Sequence, residues 1–131
     1  YNSTNQTGII YQGTVIRYGM ISDGLSNTYL LGERYINPDF YLDSASSGND
    51  QGWTSGHDFD VFRATDNNPA YAPRQDKAGV ESREQFGSAH DMFHMALCDG
   101  SVKVISYSIN SQVHFNLGNR SDGQVVSSSD F

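Results

Sequence analysis

An Asp-Gly pair at positions 99 and 100 separates two apolar runs, FHMAL and SVKVI, and no other stretch of the chain so narrows its folding choices. Asp-Gly between alternating apolar residues is a strong signal for a β-hairpin, and a two-residue type I′ turn needs positive φ at both central positions. Such a turn pairs Cys98 with Ser101, Leu97 with Val102, Ala96 with Lys103, Met95 with Val104 and His94 with Ile105. One face then carries Phe93, Met95, Leu97, Val102 and Val104, an apolar surface for a core. The other carries His94, Ala96, Cys98, Ser101 and Lys103, mixed and partly wet.

The 131 residues suit one domain with one core. Thirteen glycines, with Ser, Asn and Asp crowding the connections, point to a turn-rich α+β fold that is predominantly antiparallel β. TGIIYQGTVIRYGM reads as one or two strands. In ISDGLSNTYLLGERY, Ser22 is expected to cap a short helical turn over 23–27, and residues 28–31 to form a buried strand ending at Gly32. Residues 37–85 read as a long irregular insertion pinned by aromatics, with short strands around Trp53 and Val61. The tail GNRSDGQVVSSSDF reads as one more turn and one more short strand.

Eight Lys plus Arg stand against fifteen Asp plus Glu, a formal net charge of -7 with no basic stripe. Nucleic acid and anionic membrane surfaces are therefore not expected partners. The lone Cys98 rules out an internal disulfide and any cysteine-based zinc cluster. No apolar run is long enough to span a bilayer, so no membrane contact is expected of this fragment.

Several residues carry chemistry. His90 and His94 are four apart, but HDMFH lacks the Glu of a zincin, and in a strand the two lie roughly 13 Å apart. Glu33 is placed to face His90 or Asp99, and paired carboxylates are the apparatus of glycoside hydrolysis. The plainer reading is Glu33 paired with Arg34 to finish a sheet. Ser88, His90 and a nearby Asp are the ingredients of nucleophilic catalysis, without a GxSxG elbow. Asp-Gly pairs begin at Asp23, Asp99 and Asp122, and with NDQGWTSGHDFD they offer oxygen ligands for calcium, the runner-up sites being Asp99 and Asp122; turn chemistry explains the same residues. Trp53, Phe59 and Tyr71, in a polar loop-like segment, are the aromatics set apart for binding carbohydrate or another polymer, the remaining aromatics being assigned to the core.

FGSAH, seven residues, then CDGSVKVISYSI resembles the C-terminal signature of a large family of pilin-like proteins, abundant in planctomycetes and related bacteria, whose domain is of unknown function. MISDGLSNTYLLGER and LGNRSDGQVV are similar to two further blocks of that family. The motif residues carried over are His90, Asp99 and Gly100. Two departures stand out: eight residues separate His90 from Asp99 where the family has nine, and the N-terminal pilin helix is absent. The resemblance implies a pilin or pseudopilin-like head domain with long irregular loops, exported to the cell surface, periplasm or medium. Its implied partners are other pilin-like subunits or a surface polymer, in a type IV pilus or type II secretion setting. The expected role is structural or binding, with a small exported hydrolase of polysaccharide or ester, using Glu33, His90 and Asp99, as the alternative. No cofactor is expected apart from the calcium considered above.

Overall fold

The computed structural model describes residues 6–11, 13–127 and 130. Its regular part is one three-stranded antiparallel sheet in the order β1-β2-β3, with β1 at Tyr29–Gly32, β2 at Met92–Leu97 and β3 at Val102–Ser106. A two-turn helix, α1 (Ser111–Leu117), follows, its N-terminus capped by the Asn110 side chain, which accepts from the Gln112 N–H. Short 3-10 turns complete the regular elements at Tyr18–Met20, Leu25–Asn27, Pro38–Phe40, Trp53–Ser55 and Pro69–Tyr71. Mixed α and β content with an antiparallel sheet agrees with the expectation.

The hairpin forms where the Asp-Gly pair places it, but not in the expected register. Met95 pairs with Lys103, Ala96 with Val102 and Phe93 with Ile105, one residue away from the type I′ arrangement. The loop has three residues, Cys98, Asp99 and Gly100, closed by Gly100 N–H to Leu97 O at 2.9 Å and Leu97 N–H to Ser101 O at 2.8 Å. Gly100 alone of the three takes positive φ (86°), which makes this a turn followed by a left-handed residue. The Asp99 carboxylate accepts from the Ser101 N–H and hydroxyl instead, and that side-chain turn favours the ordinary backbone at Asp99. A slip of one exchanges the faces of β3. Val102 and Val104 are 61% and 52% exposed, and Ile105 is fully buried in their stead.

On β2 the inward face is as expected: Phe93, Met95 and Leu97 are fully buried. They meet Tyr29, Ile105, Leu117 and Val126, with Phe86, Tyr107, Ile109 and Val113 packed around the edge. In β1 an irregularity between Tyr29 and Leu31 advances the register, so Tyr29 opposes Leu97 while Leu31 opposes Ala96. Such a bulge changes which side chains point inward. Leu30 and Leu31 are exposed as a result, and β1 is not the buried strand expected. Gly32 follows because a Cβ there would collide with the Met95 and Phe86 side chains.

His114 occupies the middle of this apolar cluster, fully buried and walled by the rings of Tyr29, Phe86 and Phe93 at 5.5, 5.9 and 6.1 Å between centroids. Burial pushes the Tyr29 hydroxyl pKa up and the His114 pKa down to about 4. Both are therefore neutral near pH 7. The Tyr29 hydroxyl lies 3.3 Å from His114 Nδ1, and Nε2 is buried without a hydrogen-bond partner.

Residues 37–85 contain three 3-10 turns and, among the described residues, no strand, so the short strands expected around Trp53 and Val61 do not form. Polar side chains reaching for backbone, more than stacked aromatics, hold the segment. Arg34 donates to the carbonyls of Gly48 and Asp60 and to Asn49 Oδ1. The buried Tyr35 donates to the carbonyls of Lys77 and Val80, Asn37 and Ser46 both donate to Glu81, and the Ile36 N–H donates to Asp76. An aromatic contribution comes from Phe59 and Phe62, 5.2 Å apart, with the Arg83 guanidinium over Phe59 at 4.3 Å.

No strand forms over the described residues of TGIIYQGTVIRYGM or of the tail; Gln12, Ser128, Ser129 and Phe131 lie outside the description. The turn at Leu25–Asn27 is preceded by Gly24, and Ser22 does not cap it. Among the described residues no helix is long and apolar enough to cross a membrane.

Candidate functional site

Glu33 and His94 form a side-chain pair of acid/base character on the sheet surface. Glu33 follows β1 directly, and antiparallel pairing brings its backbone N–H to the His94 carbonyl at 3.1 Å. The Glu33 carboxylate then accepts from the His94 N–H at 2.7 Å and lies 3.0 Å from His94 Nδ1. A carboxylate on Nδ1 holds the imidazole with its proton on that nitrogen and leaves Nε2 as a lone-pair donor. Both side chains are partly exposed. The arrangement can accept a proton or lend one ligand to an ion. Its sheet neighbours on that face include Leu31, Ala96, Met92, Val104 and, diagonal to His94, Ser106, whose hydroxyl is engaged with Ser108 Oγ at 2.7 Å.

Glu33 therefore has a histidine partner, but not His90, and it does not meet Asp99. The six residues of β2 lie between His90 and Asp99, roughly 20 Å of extended chain. His90 is exposed; its N–H donates to Ser88 Oγ and its carbonyl accepts from the Tyr107 hydroxyl. Ser88 is buried, donates to the Met92 carbonyl, and has its own N–H on the Tyr107 oxygen at 3.0 Å. That hydroxyl is committed to a backbone turn, which is the opposite of an activated nucleophile. The FGSAH stretch thus forms a turn tied to the core by Tyr107, and Tyr107 is the partner that local sequence signals did not single out.

The three Asp-Gly pairs do come together, through backbone. The buried Asp23 carboxylate accepts the N–H groups of Asp122 and Gly123 at 2.7 and 2.9 Å, and the Asp99 N–H donates to the Leu25 carbonyl at 3.1 Å. The loop around Gly24 is thereby clamped to both the hairpin tip and the tail. Asp99 and Asp122 each close a side-chain turn, onto Ser101 and Gln124. Among the described residues no three His, Cys, Asp or Glu side chains gather as a metal-holding group.

Of the aromatics set apart, Trp53 is 85% exposed, whereas Phe59 and Tyr71 are half-buried. Cys98 is half-buried with its thiol pKa raised by burial and by Asp99, a poor setting for a reactive thiolate.

No curated protein and no solved structure matches the chain. A family model described as "Protein of unknown function (DUF1559)" matches residues 1–112, a span that takes in the 23–25 loop, the irregular segment, the Glu33–His94 pair and all three strands. By that match, which covers most of its length, the chain belongs to the DUF1559 family of proteins of unknown function.

Proposed function

We propose that this chain is the exported head of a pilin-like protein, with a structural or binding role at the cell surface or in a secretion apparatus. The observation that carries this reading is the division of labour among its residues. Glu33, His90 and Asp99, the residues a hydrolase would use, are spread apart: Glu33 follows β1 and pairs with His94, while His90 and Asp99 sit in backbone turns at opposite ends of β2. Meanwhile the outer face of the sheet presents Leu31, Met92, Val102 and Val104 to solvent. Exposed apolar side chains gathered on one sheet face, here around the polar Glu33–His94 pair, suit an interaction surface. Other pilin-like subunits are the partners suited to that face. Trp53, on its own exposed loop, supports a second contact with surface polymer, where a flat ring covers the apolar face of a sugar.

Sedimentation velocity over a wide concentration range tests the reading. Wild type is expected to self-associate weakly, and Leu31→Lys combined with Val104→Lys to remain monomeric with an unchanged fold. A wild type that is monomeric throughout, together with ester or polysaccharide hydrolysis that Glu33→Gln abolishes, would replace the head-domain reading with the hydrolase.

A further inference from the structure

Two arginines behind β1 share one carbonyl and, among the described residues, neither is in a direct ion pair. Arg34 and Arg63 both donate to Gly48 O, at 3.2 and 3.1 Å. Their other partners are neutral oxygens: Asp60 O and Asn49 Oδ1 for Arg34, Phe59 O and Phe62 O for Arg63. Among the described residues neither guanidinium forms an ion pair with a carboxylate. Arg63 Nε is in addition buried without a hydrogen-bond partner. Burial and the neighbouring Arg34 push the Arg63 pKa down to about 10 against the opposing pull of Asp60 and Glu84, so the carboxylates nearby do not offset burial and the like charge.

These arginines line a cavity of about 180 Å³ whose remaining wall is largely apolar, including Phe62, Phe86 and Met95. Asp60 is the one carboxylate on the wall; its Oδ1 accepts from the Gln51 N–H and its Oδ2 is buried unpartnered. Two cations against one anion leave the cavity positive inside a chain whose net charge is -7. The cavity shares Phe62, Arg63 and Thr65 with a wider basin of about 760 Å³, so a ligand has a way in. An apolar cavity of about 150 Å³ holds a benzene ring.

We propose that this cleft binds a monocarboxylate carried on a small apolar body, the apolar part filling the cavity and the carboxylate supplying the direct ion pair that neither Arg34 nor Arg63 makes within the described residues. A guanidinium is the cation best suited to the task, because its fork matches a carboxylate. The site is independent of the head-domain reading. Such a carboxylate is found on a free small acid or at the C-terminus of a peptide that ends in an apolar residue.

Titration of the ¹⁵N-labelled chain with benzoate, followed by amide chemical shifts, tests the proposal against benzamide as the neutral isostere. Benzoate is expected to bind with Kd about 1 mM or tighter and to shift Arg34, Arg63, Phe86 and Met95, with benzamide about tenfold weaker or worse. Arg34→Gln and Arg63→Gln should each weaken benzoate about tenfold in spectra that remain dispersed. Two parallel titrations, with acetyl-Ala-Phe as free acid and as amide, separate the sources: a free acid tighter than benzoate assigns the site to chain ends, a weaker one to small acids. No shift with either acid, equal binding of benzoate and benzamide, or shifts confined elsewhere would overturn the proposal. The wild-type comparison stands even if an arginine variant fails to fold.

Discussion

The hairpin region, residues 86–118, and the irregular region, residues 37–85, are fixed by different physics although each crosses the other. In the first, five side chains leave water together with Tyr29 and Val126 from outside it, and the backbone follows the ladder of β2. In the second, each loop is held by a named polar atom: Arg34 on Gly48 and Asp60, Tyr35 on Lys77 and Val80, Asp39 on the Gly79 N–H at 2.7 Å. Apolar burial is cooperative and tolerant in direction, while a hydrogen bond is local and replaceable by water. Damage to the first region should therefore unfold the whole chain, and damage to the second should loosen one loop.

The largest effect is expected at Phe93. It is fully buried, stacks on Tyr107 at 5.4 Å between centroids and faces His114. Phe93→Ala should cost about 3–5 kcal/mol by urea denaturation. A loss below about 1 kcal/mol would mean that the cluster does not act as one core.

Acid is the next most powerful probe of the same region. His114 is held neutral by burial, with its pKa down at about 4 against about 6.5 in the unfolded chain. The unfolded state binds the proton first, so the contribution is fully present above about pH 6.5 and is lost as pH falls through 6.5 towards 4, reaching about 3 kcal/mol. His114→Gln should remove that part of the pH dependence while lowering stability at neutral pH. A stability profile for His114→Gln that parallels wild type between pH 7 and 4 would place the titrating group elsewhere.

What local sequence exposes follows the same division. The alternation of Phe93, Met95 and Leu97 and the Asp-Gly break between two apolar runs are short-range signals, and β2, its buried face and the hairpin all follow from them. The register does not, because Asp99 has two ways to satisfy a turn and the choice of its own side chain over a positive φ moves β3 by one residue. α1 was hidden for a similar reason: its seven residues are too few for a clear period, and their helical state rests on the Asn110 cap and on burial of His114 and Leu117. The Glu33–His94 pair joins residues 61 apart and needs the β1–β2 register, which a bulge alters. The sequence offers Arg34 as a partner for Glu33, but Glu33 pairs with His94, and Arg34's loop contacts come from tertiary placement alone.

A smaller and more local loss is expected at Tyr35. Its hydroxyl donates to two carbonyls, 3.0 and 2.7 Å away, that close residues 77–80. Tyr35→Phe keeps the buried ring and removes the donor, at a cost of about 1–2 kcal/mol. Hydrogen exchange should show faster exchange at residues 77–80 with β2 and β3 unchanged. Equal acceleration in the sheet would erase the distinction between the two regions.

The finest test lies where the regions meet, in FGSAH. His90 is exposed, so His90→Ala should change stability by less than about 0.5 kcal/mol. Tyr107 is different, because its hydroxyl takes the buried Ser88 N–H and approaches the carbonyls of Ser88 and His90 at 3.2 and 3.1 Å. Tyr107→Phe strips that N–H of its partner and should cost about 1–3 kcal/mol. The comparison is pointed because both residues lie in the recognisable signature stretches, yet the histidine is exposed and the tyrosine holds the turn. If the order holds in thermal unfolding, the fold requires the turn and not the imidazole, and the His90 ring is free for contact with a partner. If His90→Ala proves the more damaging, the ring makes a contact that the fold depends on, and the hairpin entrance belongs with the core.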